Sequence, residues 1–243
     1  MGGIVKFGTN SLAQFLDAPD IVYGNAVDGS VVFDGTSTVL SMAPSSSVYS
    51  MTRDIYCYNL TINDSVRLAP NGYRIFVKNL LTLGNASTIG YTGGYSTDGS
   101  IKQGAAATVS VTHSLGGSGT GAGAGTATAP TSATGGSTYY QQPLQAVKGY
   151  SLTGGSTTPT YLRGGAGGST GIGGGIIICA ARYIACTATT TDAKFSAPGG
   201  ATGGGGGVIL IVSTGSGLPS NVSTDVAGNS GASSGTYNFM QLV

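Results

Sequence analysis

The sequence predicts an all-β fold, either a β-solenoid or a compact β-sandwich, with glycine-rich segments packed in part like polyglycine-II strands. Three observations carry this expectation. The 243-residue chain holds 44 glycines, and its nine acidic residues are all Asp, so residues that favour helices are scarce. Residues 60–83 alternate apolar and polar side chains with period two. An apolar strand unit then recurs beside polyglycine.

Residues 1–27 read as an N-terminal arm. Within it SLAQFLDAP has the marks of one or two helical turns, with Ser11 as cap and Pro19 as stop. Residues 28–243 read as a single glycine-rich β domain with a glycine-rich insertion at 91–174. In the strand region Leu60 and Ile62, Val66 and Leu68, Ile75 and Val77, and Leu81 and Leu83 mark apolar faces. Turn residues interrupt them at Asn63-Asp64 and at Pro70-Asn71-Gly72.

The repeat has three expected starts: Tyr73–Val77, Ile176–Ala180 and Val208–Val212. The last two lie 32 residues apart, each after three glycines. Continuous apolar runs such as IIICAA imply strands buried on both faces.

Between Gly84 and Gly207 stand 32 of the glycines. Each costs roughly 0.5–1 kcal/mol more than Ala to order in a regular element. Ordering them all therefore costs on the order of 16–32 kcal/mol, beyond a typical domain's net stability. Such a segment either stays a linker or packs so closely that only glycine fits. Polyglycine set directly against apolar runs favours packing for residues 164–210. For residues 114–138 the two outcomes stay open.

Composition also bounds function. Charged residues make up 8 % of the chain and the net charge is +1. Scattered Lys and Arg give no phosphate-binding cluster, so no nucleic-acid partner is expected. The longest fully apolar run, Ile176–Ala181, is too short to span a bilayer, so no membrane insertion is expected. No signal-peptide pattern opens the chain, which implies synthesis in the cytoplasm.

Cys57, Cys179 and Cys186 lie in or beside apolar runs and read as small buried hydrophobes. A Cys179–Cys186 bridge requires a turn that brings the two together. No spacing suits a metal, and no cofactor motif is present. His113 borders the loosest segment and reads as a loop residue. Asp54, Asp64, Asp98 and Asp192 form no local carboxylate pair for glycan cleavage. The TATTT run at 187–191 reads as strand propensity. A non-enzyme is expected.

The informative aromatic is Tyr, with 13 copies. Tyr91, Tyr95, Tyr139, Tyr140, Tyr150 and Tyr161 fall in loops or at loop edges. Two readings stand: contact residues for a ligand or partner, or rings packed over glycine strands.

The stretch DGTSTVLSMAPSSSVYSMTRDIYCYNLTINDSVRLAPNGYRIFVKNLLTLGNASTIG resembles a module of structural proteins of tailed bacteriophages. GGGIIICAARYIAC and GGATGGGGGVILIVS resemble the glycine-rich segments that follow it there, and the resemblance covers roughly residues 28–215. It implies a virion protein of the head-decoration or fibre type, typically a β-rich trimer. The short chain and the lack of a coiled coil favour a trimeric capsid decoration (cement) protein held on the major capsid protein or another virion protein, with the arm as attachment. The alternative is a tail or head fibre adhesin that recognises host surface glycans.

Overall fold

The computed structural model describes residues 22–71, 73–91, 174–200, 206–229, 231 and 234–242. The helical turns expected at 11–19 lie outside these residues, as does the insertion from 92 to 173. Among the described residues helical backbone occurs at Val22 and Tyr23, and the rest is strand and connection.

Eleven strands follow in order: β1 Val31–Phe33, β2 Val48–Ser50, β3 Ile55–Ile62, β4 Arg67–Ala69, β5 Arg74–Leu83, β6 Thr88–Gly90, β7 Ile176–Cys186, β8 Ala193–Ser196, β9 Val208–Ser213, β10 Val222–Asp225 and β11 Thr236–Gln241. They form two sheets, ordered β1-β3-β5-β7-β9-β11 and β10-β8-β6-β4-β2. All the ladders are parallel. Consecutive strands therefore belong to opposite sheets. Each circuit of the chain lays one strand on each sheet and returns beside the strand laid a circuit earlier.

Register turns the sequence pattern into columns of like side chains. Ile55 stands opposite Ile75, Ile75 opposite Cys179, and Cys179 opposite Ile211. All four are buried in one core. Ile176 stands opposite Val208, which is the expected 32-residue repeat. The repeat begins earlier than the sequence reading had it. Ile55 pairs with Ile75, so an earlier copy begins at β3, and Tyr73 precedes the strand.

β5 carries an extra residue at Lys78-Asn79 relative to both neighbours. This bulge bends the strand and resets which residues face inward. Inward positions thus run Cys57 to Leu60, Val77 to Leu81 and Ala181 to Ile184. The continuous apolar runs are buried on both faces as expected: every residue of β9 is buried. Its outer partners Val208, Leu210 and Val212 join Ile178, Ala180, Phe76, Val22 and Tyr23 in a second cluster. The end of the expected arm therefore lies against the outer face of the longer sheet. Gly24 adopts φ of +80° over the stacked rings of Tyr56 and Phe76, where a Cβ would strike both.

Residues 34–47 close the N-terminal end. Tyr49, fully buried, tilts against Phe33 at 4.7 Å. Its hydroxyl lies 3.0 Å from Asp34 Oδ1 and 2.8 Å from the Ser37 carbonyl, and accepts the Gly35 amide at 3.1 Å. Met42, Val39 and Leu40 pack on the core beneath. The TATTT run is corrected: Thr189, Thr190 and Thr191 form the exposed bend between β7 and β8. Asn85 Oδ1 organises that bend by accepting the Thr189 amide at 2.7 Å. Local hydrogen bonding overrode strand propensity there.

Candidate functional site: the corner that carries the long connections

Strands β6, β8 and β10 end in mutual register, Gly90 beside Ser196 and Ser196 beside Asp225. Strands β7, β9 and β11 begin in register at Ile176, Val208 and Thr236. The connections 91–175, 197–207 and 226–235 therefore all leave and return at one corner. In the two earlier circuits the same corner is turned within residues 51–54 and 70–73.

The bases of the connections 197–207 and 226–235 are closed by backbone. The Gly207 amide donates to the Ala197 carbonyl at 2.7 Å, and the Gly235 amide donates to the Val226 carbonyl at 2.6 Å. Tyr91 holds the register position of Ala197 and Val226, and Gly175 that of Gly207 and Gly235. Successive bases are also tied to one another. Val208 donates to the Gly175 carbonyl and Thr236 to the Gly207 carbonyl, both at 2.9 Å. Glycine is required here for space. A Cβ at Gly207 would collide with the Gly175 carbonyl oxygen, and one at Gly235 with that of Gly207. Neither obstacle is a flexible side chain.

The earlier circuits close the corner with charge. Asp28 receives the Arg53 guanidinium at 2.7 and 3.0 Å and the Tyr56 amide at 2.8 Å. Burial pushes its carboxyl up, but the Arg53 and Tyr56 hydrogen bonds and the Arg53 charge outweigh this and hold it below the usual carboxylate range. Asp54 receives the Arg74 amide and Nε, each at 2.8 Å, and Nη2 as well. Arg74 also lies 5.4 Å from the centre of the Phe76 ring.

Of the tyrosines expected as contacts, only Tyr91 is described. It is 5 % exposed, with its ring over Gly175 and its amide donating to the Ser196 carbonyl at 2.7 Å. Of the two readings open for Tyr91, the ring packed over a glycine describes its surroundings here. Tyr95, Tyr139, Tyr140, Tyr150 and Tyr161 lie outside the described residues. The sequence reading passed over Tyr58 and Tyr183, which are 48 % and 47 % exposed. Both occupy mid-strand positions, where alternation alone does not reveal a bulge. Arg182 lies 5.4 Å from the Tyr183 ring centre.

The remaining chemical candidates are occupied structurally. Asp54 is bonded to Arg74, and Asp64 Oδ1 accepts the Asn85 amide at 2.8 Å. Asp192 is exposed, while Asp98 and His113 lie outside the described residues. Cys57 and Cys179 are buried, and burial pushes both thiols up to about 12. Cys186 is only partly buried. β7 runs unbroken from 176 to 186, so no turn brings Cys179 to Cys186, and all three cysteines are free. Among the described residues no group of three His, Cys or Asp could hold a metal.

Comparison with known protein families, with curated proteins and with solved structures found no match to this chain.

Proposed function

We propose that this chain is a structural protein of a bacteriophage particle, in its simplest form a capsid decoration protein. The likeness of residues 28–215 to phage virion modules supports the class. The single geometric observation behind the role is that the connections 91–175, 197–207 and 226–235 all leave from one corner. The opposite turns 84–87, 187–192 and 214–221 are shorter, and the longer connection 34–47 of the first circuit lies over the core. A rigid scaffold that gathers its variable connections along one line is suited to gripping a neighbouring protein.

The scaffold is read as a two-sheet β-solenoid. Alternation of successive strands between two in-register parallel sheets supports this over a sandwich, whose sheets are built mainly from antiparallel hairpins. Close glycine packing within residues 164–210 belongs to the same reading, supported by the backbone that hems in Gly174, Gly206 and Gly207; residues 164–173 and 201–205 lie outside the described residues. The expected homotrimer on the major capsid protein is part of the particle-bound form. Imaging of labelled particles tests the role. Many copies on the shell support decoration, and a protein absent from purified particles ends the proposal.

A second reading, a fibre adhesin for host glycans, is favoured by the exposed ring of Tyr58 and by that of Tyr183 with Arg182 against it. Aromatic faces and a guanidinium suit sugar recognition. A few copies confined to the tail, with glycan binding lost in a Tyr183→Ala variant, would select this reading instead.

A further inference from the structure

The two ends of the stacked sheets are finished differently. At the N-terminal end, β2 is blocked by its own turn, since Ser45 and Val48 exchange hydrogen bonds at 3.0 Å each way. The segment 34–47 lies over the core there, and β1 is only three residues long. At the C-terminal end, β10 is also occupied. Its Val222 amide donates to the Pro219 carbonyl at 2.9 Å, and the Val226 carbonyl just past the strand accepts Gly235.

β11 offers a longer open edge than β1. Thr236 donates to Gly207 at 2.9 Å and Leu242 donates to Ser213 at 2.8 Å, so the even-numbered residues face β9. In a parallel strand the backbone groups of alternate residues point the opposite way. The N–H and C=O groups of Tyr237, Phe239 and Gln241 therefore point away from the sheet, and no described strand pairs with them. The strand, TYNFMQ, has six residues and carries no charge and no proline. It lacks the devices that normally guard an edge. Its side chains are half-buried or exposed, with Tyr237 and Phe239 continuing the core column to its end.

We infer that the β11 edge is a self-association surface that pairs, antiparallel and about a two-fold axis, with β11 of a second copy of this chain. The N-terminal edge strand β1 has three residues against six in β11, so head-to-tail stacking would leave much of the β11 edge unmatched. Like edges that meet by two-fold symmetry satisfy the same outward groups on both chains. An uncharged strand pairs with itself without repulsion. One edge strand accepts one partner, so this contact yields two copies rather than three. The inference does not depend on the particle assignment.

Proline at position 241 removes an outward N–H and spares the ladder to β9. Light scattering on the purified full chain at micromolar concentration should give twice the chain mass for the wild type and the single mass for Gln241→Pro. Circular dichroism checks that the variant is folded. If Gln241→Pro does not fold, Asn238→Lys with Gln241→Lys, which places like charges across the axis, must give the single mass instead. A monomeric wild type overturns the inference, as does a folded variant that keeps the wild-type mass. A wild-type trimer that survives both variants overturns the edge and leaves the trimeric particle reading standing.

Discussion

The Gly207 amide donates to the Ala197 carbonyl at 2.7 Å, closing the base of the connection between β8 and β9. Ten residues apart in sequence, the two positions are adjacent because both lie at the corner where β8 ends and β9 begins. The same pairing recurs at Val226 and Gly235 one circuit later. Backbone has to approach backbone at this corner, which explains why glycine is written there.

Gly207→Ala should be among the most damaging small substitutions in the chain. Its Cβ would meet the Gly175 carbonyl oxygen and carbonyl carbon of Gly174, all backbone. The expected loss is at the upper end of about 1–3 kcal/mol. Gly217→Ala, with nothing near its Cβ, should be neutral or slightly stabilising. Urea midpoints of the two variants check this, and equal midpoints would remove the close-packing explanation.

The two arginines of the earlier circuits should differ in worth. Arg74 is 13 % exposed in its side chain and satisfies a carboxylate that is 8 % exposed. Arg74→Ala leaves that carboxylate buried without its partner, and about 3–5 kcal/mol should be lost. Arg53 is 47 % exposed, although the side chain of its partner Asp28 is as buried as that of Asp54, at 8 %. Arg53→Ala should therefore cost less than Arg74→Ala but more than the roughly 1 kcal/mol of a fully exposed pair. Thermal unfolding of both variants side by side decides the order.

Stability should fall in acid through Asp34 and Asp28. Hydrogen bonds from the Ser37 hydroxyl and amide, and then from the Thr36 amide, hold the Asp34 carboxyl far below its usual range, and Asp28 is also lowered. A folded-state pKa below the unfolded one gives stability that is complete above the unfolded value. That stability is lost as pH falls from about 4 through the folded-state values. Asp34→Asn should flatten this acid limb, as read from denaturant midpoints between pH 2 and 6.

Thiol labelling should separate the cysteines. At pH 8 in the folded protein, Cys186 should react with an aromatic disulfide reagent. Cys57 and Cys179, buried and with thiols pushed up to about 12, should react only on unfolding. Rapid labelling of all three without denaturant would contradict the packing of β3 and β7.

Much of the fold was legible because the sheets obey short-range rules. Period-two alternation placed β3, β4 and β5. Turn residues at Asn63-Asp64 and Pro70-Asn71-Gly72 marked their ends, and the spacing from Ile176 to Val208 proved to be a true register. The bulge at Lys78-Asn79 was not legible. It is a difference in count between neighbouring strands, visible only once they pair. Tyr58 and Tyr183 were hidden for the same reason. The Thr run was misread because a side chain from another circuit, Asn85, decides its backbone.

The sequence by itself determined the all-β character, the apolar faces and the places where only glycine is tolerated, since these follow from each residue's own size, shape and hydrophobicity. The tertiary structure decided what those places are for. It brought residues 91, 197 and 226 to one corner, turned Tyr91 inward over Gly175, and left β11 with three residues' backbone groups pointing outward. Each of these depends on which distant segment lies alongside, and parallel pairing sets that by register between circuits 19 to 106 residues apart.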